Sequence, residues 1–294
     1  MAPGRPSLKK TFGQHHLVDG ALCRPLIEFL SPIAGARVLE IGPGGGVLTA
    51  ELLRAGAEVL AWEVDPEWAF ALRSRFGRGS GCLLAPSGAF GSGQSLRDNL
   101  SHDLPKLSIV AGDALEIPWE RLPDPTLVAG NLPYNVATPL IERILTRAAA
   151  VPRAAVLVQY EVAERLVAGP GDEAYGSMSV LVAAYAHAHL LGQVKKGSFR
   201  PPPKVDGGFV GFNLRPPPLP PAEMPAFIAM VRLAFGQRRK TLKNALAAGW
   251  GKERAAAVLD AAGIDPGLRA EALGLGEFLA IHQVPIPARY PPDS

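Results

Sequence analysis

The stretch Arg37-Val-Leu-Glu-Ile-Gly-Pro-Gly-Gly-Gly-Val-Leu-Thr-Ala-Glu-Leu-Leu-Arg54 decides the fold. Its first five residues, 37–41, read as a short buried strand. A glycine cluster follows, and from about Val47 to Ala55 the apolar spacing is helical. A strand running through glycines into a helix opens a βαβ unit. Outward from this stretch, Glu58 to Glu63 reads as the next strand, and Pro66 to Phe76 as a helix with proline near its first turn. Further strands are expected at Leu107 to Ala111, Leu127 to Ala129 and Ala154 to Gln159, with helices near 137–148 and 160–168. Such alternation predicts an α/β domain whose parallel sheet carries helices on both faces.

Two segments interrupt the rhythm. Residues 77–105, with their Gly-Arg-Gly-Ser-Gly and Ser-Gly-Ala-Phe-Gly-Ser-Gly runs, read as a flexible surface insertion. The proline-rich run from Pro216 to Pro221 reads as a connector, so domains are expected at 1–214 and 215–294. From Ala222 to about His282 the spacing is helical and rich in Ala and Leu, which predicts a small C-terminal helical domain.

Composition narrows the classes. The chain has 294 residues, 48% hydrophobic and 19% charged, enough for a sizeable core and too apolar for disorder. A net charge of +3 permits nucleic-acid binding without arguing for it, because binders are marked by clustered charge. The two cysteines, Cys23 and Cys82, exclude a disulfide scaffold and a cysteine-based zinc site, and no metal is expected. No apolar run approaches a membrane span of about 20 residues. The basic start, Met1 to Lys10, leads into no apolar segment, so neither a signal peptide nor a membrane is expected, and the cytoplasm is the expected compartment. The 32 glycines and 29 prolines are the unusual counts, and their positions carry information.

Four motifs bear chemistry. The spacing Gly42, Gly44, Gly46 lacks the further Gly or Ala of a dinucleotide fingerprint, since position 47 is Val. Glu-x-Gly-x-Gly-x-Gly resembles instead the S-adenosylmethionine (SAM) loop of class I methyltransferases. Glu63 ends the next strand, about 20 residues on, where a carboxylate commonly accepts two hydrogen bonds from a ribose diol. Asp113, in Gly112-Asp113-Ala114, closes the third strand; in a SAM site it would accept from the adenine amine, although Gly-Asp also makes ordinary turns. Asn131-Leu132-Pro133-Tyr134 ends the fourth strand and is the most specific signal. An exocyclic aromatic amine is a poor nucleophile because its lone pair is delocalised. Acceptors on its hydrogens, the Asn131 side-chain oxygen and the Leu132 carbonyl, favour a pyramidal nitrogen. Pro133 removes a competing donor and fixes the turn. Tyr134 offers a face on which a flipped base stacks, worth roughly 1–3 kcal/mol. No base is needed before attack, so catalysis rests on orientation and desolvation.

The nine residues Asn131-Leu-Pro-Tyr-Asn-Val-Ala-Thr-Pro139 are similar to the signature of the KsgA-type ribosomal RNA adenine N6,N6-dimethyltransferases. Phe12-Gly-Gln-His-His-Leu-Val-Asp19 resembles the family's N-terminal segment. Gln159 to Ala168 and Ala174 to Val180 resemble its mid-domain helices, and Phe199-Arg-Pro-Pro-Pro-Lys-Val-Asp206 its substrate-side loop. Phe235 to Asn244 and Gly263 to Glu271 resemble its C-terminal helical domain, so coverage runs from about residue 10 to 285. The resemblance implies a Rossmann-like class I fold that dimethylates two adjacent adenosines near the 3′ end of 16S rRNA, late in small-subunit assembly. It implies SAM contacts at His15, Leu17, Gly42, Gly44, Glu63, Asp113 and Asn131, and an aromatic, Phe199, opposite Tyr134 across the target base. His15 and His16 stand where the family has Asn-Phe. An imidazole at 15 can still bond the SAM carboxylate, and a plain surface histidine is the competing reading.

Basic residues cluster despite the small net charge. Arg5, Lys9 and Lys10 precede the first motif, and Lys195, Lys196, Arg200 and Lys204 flank the proline-rich loop. Arg232, Arg238, Arg239, Lys240 and Lys243 follow in the C-terminal domain, where Arg232, Arg239 and Lys243 are placed to share a helix face. Lys204, Arg238, Arg239, Lys240 and Lys243 are the expected RNA contacts, neutralising phosphates without reading sequence. The resemblance implies the small ribosomal subunit as the partner, and a monomer is expected. The alternatives are a large-subunit rRNA methyltransferase of the macrolide-resistance type and a non-catalytic assembly or transcription factor. Two-domain length and the Phe199 to Asp206 loop weigh against the first, and the intact Asn131 motif against the second. A nicotinamide dehydrogenase fails on Val47.

Overall fold

The computed structural model describes residues 15–76, 84–86, 106–147, 149–237 and 239–285, with the backbone alone at 84–86. Its contacts divide the chain into two compact units. One takes the chain to Ala163 and then Ala186–Pro216; the other takes Glu164–Tyr185 and everything from Pro217 onward. The division after Pro216 falls beside the expected boundary. The grouping of Glu164–Tyr185 with the C-terminal residues differs from the single cut expected at 214/215.

The first unit is built on one eight-stranded sheet. Its strands are β2 (Arg37–Ile41), β3 (Glu58–Glu63), β4 (Leu84–Pro86), β5 (Leu107–Ala111), β6 (Leu127–Asn131), β7 (Arg153–Gln159), β8 (Ala186–Val194) and β10 (Gly207–Leu214), in the order β4-β5-β3-β2-β6-β7-β10-β8. A two-residue strand, β1 (His16–Leu17), pairs separately with β9 (Phe199–Arg200), antiparallel. The strands from β4 to β7 are mutually parallel, as the alternation predicts. Their apolar runs are continuous because helices cover both faces of such a sheet. Those helices are α1 (Arg24–Leu30), α2 (Val47–Arg54), α3 (Pro66–Phe76) and α4 (Ala137–Leu145). The core gathers Leu26 and Leu30 of α1 and Leu48 and Leu52 of α2 with Val38, Val59, Ile109 and Leu157 of the sheet.

Topology places the site. From β2 the chain moves to β3 and β5 on one side, then returns to β6 on the other side of β2. The strand order reverses there, and in open α/β sheets ligands bind beyond the carboxyl ends of the strands at such a point. β2 and β6 approach closely at Gly130, where a Cβ would stand 2.6 Å from the Ile41 carbonyl oxygen.

Three expectations change. Within the segment read as a flexible insertion, Leu84–Pro86 is a strand paired parallel to β5; residues 77–83 and 87–105 lie outside the described residues. Beyond β7 the sheet continues in two antiparallel strands that the alternation did not predict, β10 beside β7 and β8 beside β10. The β8–β10 register shifts between Phe209, opposite Gly192, and Val210, opposite Leu190, so Leu191 is an extra residue in β8. Third, Arg232, Arg239 and Lys243 do not share a helix. Arg232 ends α7 (Met224–Phe235), Lys243 begins α8 (Leu242–Trp250), and Arg239 lies in the exposed turn between them.

The second unit is helical. With α7 and α8 it contains α6 (Ser177–Tyr185), α9 (Lys252–Ala261) and α10 (Leu275–Gln283), while α5 (Tyr160–Val167) spans the division. Its core joins Phe227, Met230, Leu246, Leu259, Phe278 and Ile281. Glu164–Tyr185 belongs here because Tyr175 is locked in: its hydroxyl donates to the Leu273 carbonyl at 2.8 Å, and its ring meets Phe235 edge-on at 5.7 Å. Among the described residues, no helix is long and apolar enough to cross a membrane.

The close approach at Gly130 is testable. Gly130→Ala forces β6 away from β2 and is expected to destabilise the protein by about 1–3 kcal/mol, the usual cost of overpacking. Urea unfolding checks this, and a wild-type midpoint would show that the strands separate without cost.

Candidate active site

The glycine loop is shaped by its backbone. Gly42, Gly44 and Gly46 adopt φ of +66°, +50° and +73°, which favour glycine. Gly44 is also crowded: a Cβ there would stand 2.6 Å from His16 Nε2. The Gly46 amide donates to the Pro43 carbonyl at 2.9 Å, and the Arg75 guanidinium donates to the Gly45 carbonyl at 2.6 Å. The His16 ring packs edge-on against Trp68, centroids 4.6 Å apart, and so fills the space beside the loop.

Glu63 ties this loop to the end of β3. The carboxylate is 3% exposed. It accepts from the Gly44 amide and the Asp65 amide, each at 2.9 Å. Burial raises its pKa, and the two amides pull it back. Glu40, in the quoted stretch, is more deeply enclosed at 1% exposure. Neither of its oxygens has a hydrogen-bond partner. Burial, with the charge of Glu63 adding to it, pushes its pKa up to about 8, and Thr49 lies close enough to soften the shift. Asp113 ends β5 in the open: its Oδ1 accepts from the Leu115 amide at 2.8 Å, and its carbonyl accepts from Trp62 Nε1 at 3.0 Å.

Asn131 ends β6. Its Nδ2 donates to the His15 carbonyl at 2.7 Å, and the Leu132 amide donates to the Leu157 carbonyl at 3.0 Å. The Tyr134 hydroxyl is buried without a partner, and burial, then the charge of Asp206, push its pKa up to about 12. The ring therefore stays un-ionised at any physiological pH.

These residues share one cleft. His15, Gly42, Gly44, Glu63, Asn131, Leu132, Pro133 and Tyr134 line it, together with His16 and Val64. It is a small cavity of about 40 Å³. Three expected site residues do not line it. Asp113 lies next along the carboxyl ends of the strands, where the Gly112 amide bonds the Glu63 carbonyl at 2.8 Å. Leu17 turns its side chain into the core. Phe199 does likewise: it is 2% exposed and packs among core residues. The His15 ring stands beside Tyr134, centroids 5.6 Å apart.

Of the expected RNA contacts, Lys204 is exposed in the first unit. Arg239 and Lys240 are exposed and Lys243 half-buried in the second. Arg238 and residues 12–14 of the N-terminal segment lie outside the described residues. Lys195 is held by Asp206 at 3.0 Å, and the Lys196 amide also donates to Asp206. The sequence reading missed His16 and Val64 as cleft residues. Val64 adjoins Glu63, a signal open to inspection; His16 meets the loop only in three dimensions.

The family described as "Ribosomal RNA adenine dimethylase" matches residues 5–81 and 93–285. The chain belongs to that family. The part skipped, 82–92, falls inside the glycine- and serine-rich segment. Among curated relatives of this dimethylase family, "Ribosomal RNA small subunit methyltransferase A" of Acidothermus cellulolyticus is 37% identical over 280 residues, covering 94% of this chain and 89% of the relative. The protein of the same name from Kineococcus radiotolerans is 39% identical over 274 residues, covering 92% and 84%. Among solved structures, a dimethyladenosine transferase from Plasmodium falciparum superposes with a TM-score of 0.70 at 22% identity, covering 91% of this chain and 96% of that one. The 23S rRNA methyltransferase ErmE gives 0.64 at 23% identity, covering 91% and 98%. The two superpositions show the class I methyltransferase fold and do not separate the substrates. The chain is an enzyme of the rRNA adenine dimethylase family, whose type of chemistry is SAM-dependent methyl transfer.

Glu40 makes stability depend on pH. Its carboxyl is protonated in the fold up to about pH 8 but ionises near pH 4.3 when unfolded. Folding therefore binds a proton between those values, and Glu40's contribution to stability falls as pH rises through that window, then levels off. Glu40→Gln is expected to melt like wild type near pH 4 and at least about 3 °C higher near pH 8, roughly 1 kcal/mol for a chain of this size. An equal difference at both pH values, by calorimetry, would show that Glu40 does not titrate in this way.

Proposed function

We propose that the protein is a SAM-dependent rRNA adenine N6,N6-dimethyltransferase acting on two adjacent adenosines near the 3′ end of 16S rRNA. It acts in the cytoplasm, as a monomer, on the small ribosomal subunit late in its assembly. The observation that carries this reading is the Asn131-Leu-Pro-Tyr134 turn at the sheet's switch point, in a chain 37–39% identical to small-subunit methyltransferases over more than nine-tenths of its length. The relatives favour the small subunit over the large one.

The cleft fits SAM. Its glycines leave backbone rather than side chains along one wall, and each Glu63 oxygen takes one amide bond, which leaves lone pairs for a ribose diol. Asp113 lies beside Glu63, where the adenine end of the cofactor would reach. When bound, SAM supplies a methyl group on a positively charged sulfur. The protein's part is orientation. The Asn131 Oδ1 and the Leu132 carbonyl accept the two hydrogens of the target amine and free its lone pair for in-line attack. Pro133 sets the turn, and the un-ionised Tyr134 ring supports the flipped base. After attack the methylated amine is acidic and releases its proton to water. Lys204, Arg238, Arg239, Lys240 and Lys243 neutralise RNA phosphates, and RNA shape selects the site.

Purified protein is expected to transfer label from radioactive SAM to immature small subunits, at adenosines mapped by primer extension. Label confined to large subunits would favour the macrolide-resistance class, and no label at all would sink the reading. Asn131→Ala is expected to lose about 100-fold or more in transfer rate, the usual scale for removing an oriented polar group, while SAM affinity by calorimetry changes only a few-fold. Near wild-type methylation by that variant would refute the orientation mechanism.

A further inference from the structure

The helical unit holds a groove that the methyl-transfer reading leaves unused. It has a volume of about 600 Å³ and lies between the start of α8, the end of α9 and the loop that follows α9. That size is within the range of ligand-binding clefts. Ala256, Ala257 and Ile264, all half-buried, give it apolar wall. Asp260 and Asp265, both exposed, bring two carboxylates, and Lys243 is the one cation among its lining residues.

Backbone bonds shape the groove. The Leu242 and Lys243 amides, at the start of α8, donate to the Leu268 and Pro266 carbonyls at 2.6 and 3.3 Å. A helix leaves its first amides unpaired, so the loop takes up donors that would otherwise attract an anion. At its other end the loop is tied to α9 by the Ile264 amide, which donates to the Leu259 carbonyl at 2.9 Å. Between these ties the Gly267 amide donates to Asp265 Oδ1 at 2.8 Å and fixes that carboxylate on the loop. A Cβ added to Gly263 would meet nothing within 4 Å, so the chain leaves open space at this point.

The groove differs in charge from the turn beside it. Asp260 stands in the last turn of α9, where the helix dipole is itself negative and a lysine or arginine is the favoured residue. Asp265 is on the loop just beyond. The exposed Arg239 and Lys240 turn before α8 suits phosphate, whereas two carboxylates at the carbonyl end of a helix repel an RNA backbone and attract a cation. The apolar wall adds a bed for an aliphatic stem. A lysine or arginine side chain has both parts, a stem for the wall and a charged head for a carboxylate.

We propose that this groove is a docking site for a protein, and that its occupant is a lysine- or arginine-bearing segment of a small-subunit ribosomal protein. The inference rests on the reading above that the small subunit is where the enzyme acts, and it adds a protein contact to the RNA contacts of that reading.

Charge reversal at Asp260 separates the two kinds of partner by sign. Asp260→Lys keeps the fold, because the position is exposed and a cation suits that end of a helix. Wild type, Asp260→Lys and Asp260→Asn are titrated at one salt concentration onto intact immature small subunits and onto 16S rRNA stripped of protein. On subunits Lys is expected to weaken binding about 5-fold or more and Asn about 2-fold, because an attraction at the interface is reversed or removed. On stripped rRNA both are expected to bind as wild type or tighter. Ala257→Trp, which fills the groove without changing charge, is expected to weaken subunit binding as Asp260→Lys does and to leave SAM affinity by calorimetry unchanged. Tighter binding of Asp260→Lys to subunits would show that RNA faces the groove and would overturn the proposal. So would wild-type subunit binding by Asp260→Lys, or an equal loss on subunits and on stripped rRNA. All three leave the functional reading standing. Wild-type protein that labels no small-subunit adenosine would overturn that reading, and this inference with it.

Discussion

A buried carboxylate must be met by donors or it gives up its charge. Glu63 is met by two backbone amides, one from the glycine loop and one from its own strand end. That pairing makes the site a site. It draws the loop after β2 toward the end of β3, holds Gly44 at a backbone angle suited to glycine, and lays a strip of bare backbone along the cleft. Glu40, one strand away and equally enclosed, has no hydrogen-bond partner on either oxygen, and burial pushes its pKa up to about 8. Two acids of the same type thus sit on adjacent strands with different partners from the backbone.

The other half of the cleft comes from a different part of the architecture. Asn131 and Tyr134 follow β6, in the parallel portion of the sheet, but their neighbours come from β1 and from the residues around β9. The parallel sheet alone would present the motif to open solvent. The short ladder and the residues beside it wall the motif in on one side.

What could be read in the sequence was local. The glycine loop, Glu63, Asp113 and Asn131 to Tyr134 each lie at the end of one strand in one βα unit, so periodicity and spacing were enough to find them. What could not be read was distant. His15 meets Asn131 across 116 positions and Pro201 across 186, and no local pattern marks either pair. The burial of Phe199 was hidden for the same reason, since packing in the core leaves no local mark beside a proline-rich loop. Strand β10 was hidden by glycines at 207, 208 and 211, which lower strand propensity. Tyr175 placed Glu164–Tyr185 with the C-terminal helices through a bond to Leu273, 98 positions away.

The extra residue in β8 has a consequence for the protein as a solute. β8 is the last strand of the sheet, nine residues long, and such a margin offers a row of amides and carbonyls to any other extended chain. With Leu191 inserted opposite β10, the pleat of that margin is broken near its middle and its twist increases. A strand from a neighbouring molecule could match only a few residues on either side before falling out of register. The same irregularity that distorts one strand pair thus guards the sheet against growing sideways into aggregates.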